Sequence, residues 1–181
     1  QQGVPDLWLM FAPVRRSKTE LIVEKATELG AAVIAPVVTE RTQSDRIKFE
    51  RLQAITKEAA EQTERLDLPD IRDSEKLGAV LDNWPAERAL IFCDESGDEA
   101  DAAWGGARGR GQPMLAALAG LPNRPAAILI GPEGGFSLAE RDRLRALDPV
   151  IPVTLGPRIL RAETAPIAAL TIWQSACGDW R

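Results

Sequence analysis

The chain has 181 residues, 45% of them hydrophobic and 27% charged, a balance expected of one globular domain. It contains no His and no Tyr, so Ser-His-Asp and Cys-His catalysis are excluded and zinc catalysis is disfavoured. The two cysteines, Cys93 and Cys177, are too few for a disulfide framework, and they predict a cytoplasmic protein without a metal site.

Hydropathy excludes a membrane-spanning helix, and the charge distribution limits where a polyanion could bind. No apolar run approaches the roughly 18 residues of a membrane helix, and the first residues lack the features of a signal peptide, so no membrane association is expected. The net charge is −5, and its acidity is concentrated in residues 66–111. Basic clusters elsewhere are either solvated helix faces or local sites for a polyanion. They comprise Arg15, Arg16 and Lys18, then Arg41, Arg46, Lys48 and Arg51, then Arg158 and Arg161.

The predicted elements alternate between strand and helix along the chain. Apolar runs predict strands over residues 7–11, 31–38, 89–93, 126–130 and 150–155. Helices are predicted from 17 to a stop at Gly30, from a cap at Asp45 to 66, and over 113–119, 137–147 and 166–176. Capping boxes are expected at Ser17 with Glu20 and at Ser137 with Glu140, and residues 94–112 read as a mobile surface loop. This alternation predicts an α/β fold with a mainly parallel sheet.

Two glycine-bearing segments each follow a predicted strand and precede a predicted helix. The first spans residues 129–137 and reads Leu-Ile-Gly-Pro-Glu-Gly-Gly-Phe-Ser. The second spans residues 155–165 and reads Leu-Gly-Pro-Arg-Ile-Leu-Arg-Ala-Glu-Thr-Ala. Ligands in open α/β sheets bind beyond the carboxyl ends of strands, where such loops lie, and apolar residues between charges suit pocket walls. The two loops therefore predict a ligand pocket.

The sequences of these loops exclude a phosphate-binding loop and a dinucleotide-binding site. Neither loop has the Gly-Lys-Ser/Thr ending of a phosphate loop, and neither contains the G-x-G-x-x-G pattern of a dinucleotide site. Residues 106–111 are rich in glycine, but they follow no predicted strand and are interpreted as a flexible connector.

Both loop sequences closely resemble the two signature loops of the RsmE family, ribosomal RNA small-subunit methyltransferases of the SPOUT superfamily. Three further segments resemble this family in the same order: residues 24–30, residues 39–44, and residues 58–62 with Arg65. The resemblance runs from about Lys18 to Gly178, which is nearly the whole chain. It implies an α/β fold in which a mainly parallel sheet flanked by helices carries a C-terminal trefoil knot.

The resemblance also implies how the chain is organised. Residues 1–181 are expected to form one SPOUT methyltransferase domain, and the PUA-like RNA-binding domain that usually precedes it in the family is expected to be absent from this chain. A homodimer through the last helix is implied, with Ile172, Trp173 and Ala176 either at the interface or in the core. No membrane or metal partner is implied.

The implied activity is transfer of a methyl group from S-adenosylmethionine to N3 of a uridine in 16S ribosomal RNA, with the RNA or the small ribosomal subunit as partner. Since the sulfonium methyl is already activated, catalysis would consist of alignment and exclusion of water. The predicted cofactor-binding residues lie in the two loops, and Glu133 either contacts the ribose or stabilises its loop. They are Leu129, Gly131, Pro132, Glu133, Gly134, Leu155, Gly156, Ile159 and Leu160.

Uridine N3 carries a proton, so a group must accept that proton or stabilise the anion. Arg161 is predicted as the electrostatic stabiliser, because an arginine stays charged, and Glu163 as the base or orienting group. Thr164 is expected to cap the final helix. The predicted RNA-binding residues are Arg41, Gln62, Arg65 and Arg158. Gln62 and Arg65 are three residues apart and are expected to share one helix face. The alternative is that this face is solvated and binds no RNA.

Two alternatives remain open at this point. A related SPOUT enzyme could act on another acceptor, such as a ribose 2′-hydroxyl of tRNA or rRNA. A non-catalytic RNA-binding or ribosome-assembly factor could keep the fold without the activity, although the intact segment from Arg161 to Thr164 argues against that alternative.

Overall fold

The computed structural model describes residues 4–43, 48–94, 111–121 and 124–180. Its strands are Leu7–Phe11 (β1), Val33–Val38 (β2), Asp70–Ile71 (β3), Glu75–Lys76 (β4), Ala89–Cys93 (β5), Gln112–Pro113 (β6), Ala126–Ile130 (β7) and Val150–Thr154 (β8). Its helices are Arg16–Glu28 (α1), Phe49–Gln62 (α2), Leu77–Asp82 (α3), Met114–Leu118 (α4), Leu138–Ala146 (α5) and Thr164–Ala176 (α6). The two-residue strands and α3 were not predicted.

The strands form a single parallel sheet in the order β3-β2-β1-β7-β5-β8-β6, with β4 paired to β2. The predicted fold, a parallel sheet flanked by helices, is confirmed. Because all strands point the same way, the loops that follow β7 and β8 emerge at the same edge of the sheet. The end of β5 lies between them, since β5 pairs with both of those strands. The trefoil knot stays a prediction.

Both faces of the sheet are covered by helices, as a parallel sheet requires. Side chains alternate between the faces: Ile91 packs on one side with α1, α2, α4 and α6, and Phe92 packs on the other with α3 and α5. Trp173 of α6 is 4% exposed and belongs to the first of these clusters. Of the two roles left open for Trp173, the structure therefore supports core packing.

The beginning of α1 differs from the prediction. The helix begins at Arg16 and no side-chain cap is formed, so the predicted capping box of Ser17 and Glu20 is wrong. The hydroxyl of Thr19 instead accepts from the backbone N of Val14 at 3.1 Å and donates to its carbonyl at 3.0 Å, which fixes the approach to the helix one turn earlier. The C-terminal prediction is confirmed, because Gly30 has a φ of +79° just beyond the helix.

The starts of α6 and α5 can also be compared with the predicted caps. Helix α6 begins at Thr164 with Glu163 as the preceding residue and no side-chain cap, so the predicted capping by Thr164 is wrong and Pro166 lies inside the first turn. The capping box of Ser137 and Glu140 at the start of α5 is confirmed. The cap predicted at Asp45, and residues 95–110 of the predicted mobile loop, lie outside the described residues.

Within the described ranges, no helix is both long and apolar enough to cross a membrane. No group of three or more His, Cys, Asp or Glu side chains in these same ranges could hold a metal ion.

Candidate functional site

A cavity of about 250 Å³ opens where the loops after β7 and β8 meet. It is lined by residues 130–136 of the first loop, by Ile159, Leu160, Ala162 and Ala165 of the second, and by Cys93 and Asp94 at the end of β5. The two segments that were predicted to form a ligand pocket are thus brought together by the sheet.

Backbone geometry explains why the first loop is rich in glycine. At Gly131 a Cβ atom would stand 2.5 Å from the Phe136 ring, closer than real Cβ contacts allow. Gly135 has a φ of +68° and donates its N–H to the Pro132 carbonyl at 2.9 Å, which closes a turn. Phe136 packs edge-on against Phe92 of β5 with ring centres 5.0 Å apart. The loop is therefore folded back onto the sheet, with its backbone facing the cavity.

The first loop is also held from outside by two cations from distant parts of the chain. Lys18 of α1 donates to the Glu133 carboxylate at 2.5 Å. Arg41, in the segment after β2, donates from Nη1 to the Gly134 carbonyl at 2.9 Å. Because the Lys18 ammonium donates to it, the pKa of Glu133 is lowered, and the charges of Arg15 and Arg161 lower it further. Arg161 of the second loop therefore lies within electrostatic reach of the first.

The second loop starts with another residue in an uncommon conformation. Gly156 has a φ of +130°, and the Thr154 hydroxyl both donates to its carbonyl at 3.1 Å and accepts from its N–H at 3.3 Å. Further along, Ile159 is 75% exposed although it is apolar, and it stands at the rim of the cavity.

Glu163, at the end of the second loop, points towards α1. Its Oε2 lies 3.4 Å from Lys18 Nζ, and the Glu163 side chain is 16% exposed. This oxygen is buried and accepts no hydrogen bond from any described residue. Hydrogen bonding to Glu133 raises the pKa of Lys18, and the Glu163 carboxylate adds to that effect. Lys18 thus contacts both loops, a role that its membership of a basic cluster did not predict.

The predicted cofactor residues fall into two groups. Gly131, Pro132, Glu133, Gly134, Ile159 and Leu160 line the cavity. Leu129, Leu155 and Gly156 do not line it. Leu129 is fully buried in β7 on the face of α3 and α5, and Leu155 is partly buried against the other core cluster.

The predicted RNA-binding residues are dispersed. Arg158 and Gln62 are exposed, and Arg41 is exposed while it holds Gly134. Arg65 has a side chain only 5% exposed, because its guanidinium donates to the carbonyls of Thr27 and Ala31 at 2.7 and 2.9 Å. Helix α2 ends at Gln62, so the expectation that Gln62 and Arg65 share a helix face is wrong.

One feature of the site was not predicted. Asp94, which lines the cavity, is 2% exposed and is paired with Arg141 and Arg145 of α5. The signal in the sequence was an aspartate directly after a buried strand, together with two arginines four residues apart on one helix face.

The parallel sheet and the cavity between two glycine-bearing loops define an α/β domain with a ligand site at one edge of its sheet. A family model described as an RNA methyltransferase domain matches residues 2–174, and the chain belongs to this family. A SpoU methyltransferase from Streptomyces viridochromogenes, 18% identical with a TM-score of 0.56 over 94% of this chain and 60% of that one, shares the fold alone.

More similar proteins confirm the resemblance to the RsmE family. Ribosomal RNA small subunit methyltransferase E of Rickettsia conorii is 33% identical over 165 residues, which are 91% of this chain and 62% of that protein. The enzyme of that name from Neisseria gonorrhoeae, solved bound to S-adenosyl methionine, is 27% identical with a TM-score of 0.71 over 98% of this chain and 68% of that one. A putative methyltransferase from Legionella pneumophila, solved with the cofactor SAM, is 30% identical with a TM-score of 0.70 over 99% and 70%. The chain therefore spans about three fifths of the curated relative's length.

Proposed function

We propose that this chain is the catalytic domain of an S-adenosylmethionine-dependent enzyme that methylates N3 of a uridine in 16S ribosomal RNA. The observation that carries the proposal is the cavity itself, because two remote loops that match the family's signatures in sequence meet around it. Relatives named as ribosomal RNA small subunit methyltransferase E, one of them solved with S-adenosyl methionine, support the choice of cofactor and substrate.

The residues around the cavity supply groups that this cofactor can contact. The cavity volume of about 250 Å³ is close to the lower end of the roughly 300–1,000 Å³ of common small-molecule sites. Ile159, Leu160 and Ala162 supply apolar walls, and the glycine backbone supplies hydrogen-bonding groups. The carboxylate of Glu133, which lines the cavity, suits a ligand that carries a sulfonium cation. When bound, the cofactor supplies an activated methyl group.

The acceptor nitrogen must lose a proton during the reaction. Arg161 is exposed at the start of the last turn before α6, where its permanent charge would stabilise a uridine anion. Glu163 Oε2 forms no hydrogen bond among the described residues and lies 3.4 Å from Lys18 Nζ, and this carboxylate would accept the proton of N3–H or orient the base. Arg158, exposed in the same loop, would contact an RNA phosphate.

We also propose the assembly and setting implied by the resemblance. The chain acts as one methyltransferase domain, on 16S ribosomal RNA or on the small ribosomal subunit, in the cytoplasm. It forms a homodimer through α6, where Ile172 and Ala176 are only partly buried and remain available for such a contact.

The first test is calorimetric titration of the chain with S-adenosylmethionine and with S-adenosylhomocysteine. Saturable binding of both, followed by transfer of labelled methyl groups to unmodified small subunits and detection of N3-methyluridine by mass spectrometry, would support the proposal. A 2′-O-methylated product would show that the acceptor is a ribose hydroxyl and not uridine N3. Cofactor binding without transfer to any RNA would favour the non-catalytic alternative. Absence of cofactor binding by the folded chain would overturn the proposal.

A further inference from the structure

We propose that Arg41 and Lys18 are positioning residues, which hold residues 131–136 in the shape that receives the cofactor. Arg41, predicted from the sequence to bind RNA, would then serve the cofactor loop. This inference rests on the proposed function, because it takes that loop to be part of the cofactor site.

The contact of Arg41 is with the backbone of the loop and not with its side chains. Nη1 donates to the Gly134 carbonyl at 2.9 Å, and the stem of Arg41 lies along the same residue, with its Cβ and Cδ 3.7 and 3.8 Å from the Cβ position of Gly134. Gly134 lines the cavity, whereas Arg41 does not. Arg41 therefore acts on the site only through the position of this carbonyl.

The segment that carries Arg41 is itself fixed to the far end of the loop. The N–H of Glu40 donates to Glu140 Oε1 at 2.9 Å, and the second oxygen of the same carboxylate accepts from the N–H of Ser137, also at 2.9 Å. Thr39 and Thr42 close the segment into a turn through their hydroxyls, 2.8 Å apart. Residues 39–42 are thus joined to the segment from the loop into α5 at two points, Gly134 and Glu140.

Lys18 braces the loop from the other side. Its ammonium donates to Glu133 at 2.5 Å and lies 3.4 Å from Glu163, so one side chain of α1 connects the two loops that enclose the cavity. The Lys18 side chain is 28% exposed, so it is partly buried where it contacts the two carboxylates.

A loop with three glycines in six residues needs such support, because glycine has more conformational freedom to lose than any other residue. A loop that is already ordered binds its ligand more tightly, since less ordering remains to be done at the moment of binding. Removing Arg41 or Lys18 should therefore weaken cofactor binding although neither residue contacts the cofactor. Removing a residue that contacts RNA should instead weaken RNA binding and reduce its salt dependence.

The experiment compares cofactor affinity across matched variants of the chain. Calorimetry with S-adenosylmethionine would be performed on the unsubstituted chain and on Arg41→Ala, Arg41→Lys and Lys18→Met. Arg51→Ala serves as control, since Arg51 is a similarly exposed arginine that pairs with Glu20 and does not contact the loop. Deuterium exchange of the peptide spanning residues 131–137 would report the order of the loop, and thermal melting would confirm that each variant is folded.

We expect Arg41→Ala and Lys18→Met to bind the cofactor about three- to tenfold more weakly, with faster exchange in residues 131–137. The melting temperature should be unchanged in Arg41→Ala and lower in Lys18→Met, because the second substitution leaves the buried Oε2 of Glu163 without its cation. Arg41→Lys should recover part of the affinity, and Arg51→Ala should bind normally. Unchanged cofactor affinity in Arg41→Ala, together with weaker and less salt-dependent binding of small subunits, would overturn the inference and restore Arg41 as an RNA contact. Failure of the unsubstituted chain to bind would instead overturn the proposed function, and the inference with it.

Discussion

The carboxylate of Asp94 and the guanidinium of Arg141 form an ion pair in which neither side chain is more than 5% exposed. Two parallel bonds join them, Nε to Oδ1 at 3.0 Å and Nη2 to Oδ2 at 3.1 Å, and Arg145 adds a contact of 2.6 Å to Oδ2. The pair connects the end of β5 to α5, and Asp94 also lines the candidate cofactor cavity. A structural ion pair is therefore built into the wall of the site.

Asp94→Ala should destabilise the protein by about 3–5 kcal/mol, because it leaves buried guanidinium charge without its carboxylate. Urea denaturation followed by circular dichroism would measure the change in the free energy of unfolding. Asp82→Ala is the control, since Asp82 forms a single exposed pair with Arg143 and should cost no more than about 1 kcal/mol. Similar small losses in both variants would contradict the importance of the buried pair.

Gly131→Ala should damage the site in a way that an ordinary glycine substitution does not. The added methyl group would lie 2.5 Å from the Phe136 ring, so the ring must shift and its packing against Phe92 would change, and overpacking of this kind costs about 1–3 kcal/mol. Cofactor affinity should fall with it, since Phe136 and Gly131 both line the cavity. Gly120→Ala has open space around it and should leave both the melting temperature and the calorimetric affinity unchanged. Equal behaviour of the two variants would contradict this account of the loop.

Asp67 should make part of the stability dependent on pH. Hydrogen bonding to Arg65 lowers the pKa of Asp67 in the folded protein, so its contribution is present above the ordinary aspartate range and is lost as pH falls through the lower folded value. The stability difference between the unsubstituted chain and Asp67→Asn should therefore be clear at pH 7 and shrink below about pH 4. Urea midpoints across this range would measure it, with Asp70→Asn, whose pair with Arg72 is longer at 3.6 Å, as control. A difference that stays constant down to pH 2.5 would contradict the assignment.

The long strands were predictable because each is a continuous apolar run bounded by turn residues. Residues 7–11, 89–93 and 126–130 are strands as predicted, residue for residue. Strands β3, β4 and β6 have only two residues each, which is too short for any periodicity to register. The two capping boxes show the limit of local patterns. Ser137 has an extended backbone and caps its helix, whereas Ser17 lies one residue inside a helix whose start is held by the hydrogen bonds of Thr19 to Val14.

The site was predictable as two loops but not as a set of contacts. The glycine-containing sequences of both loops correctly predicted where the cavity lies, because the parallel sheet places both loops at the same edge. The contacts of Lys18 with Glu133 and of Arg41 with Gly134 join residues 115 and 93 positions apart, and no local pattern specifies such a partner. Leu129 was expected in the cavity, but its side chain is fully buried in the cluster beneath α3 and α5, and the residue does not line the cavity.

Arg161→Ala tests the catalytic assignment directly. Removing a charge that stabilises the uridine anion should lower kcat by about 100- to 1,000-fold, the usual effect of losing one preorganised stabilising group, while the calorimetric Kd for S-adenosylmethionine should change by less than about threefold. Methyl transfer to unmodified small subunits under saturating cofactor would supply the rate.

Arg158→Ala is the matched control for that substitution, because Arg158 is exposed in the same loop three residues earlier. A phosphate contact predicts a higher KM for RNA and a shallower salt dependence, with kcat nearly unchanged. If Arg161→Ala showed this same pattern, Arg161 would be a second RNA contact and the anion would need another stabilising group. If its kcat fell alone, the positive charge at residue 161 acts on the reacting base.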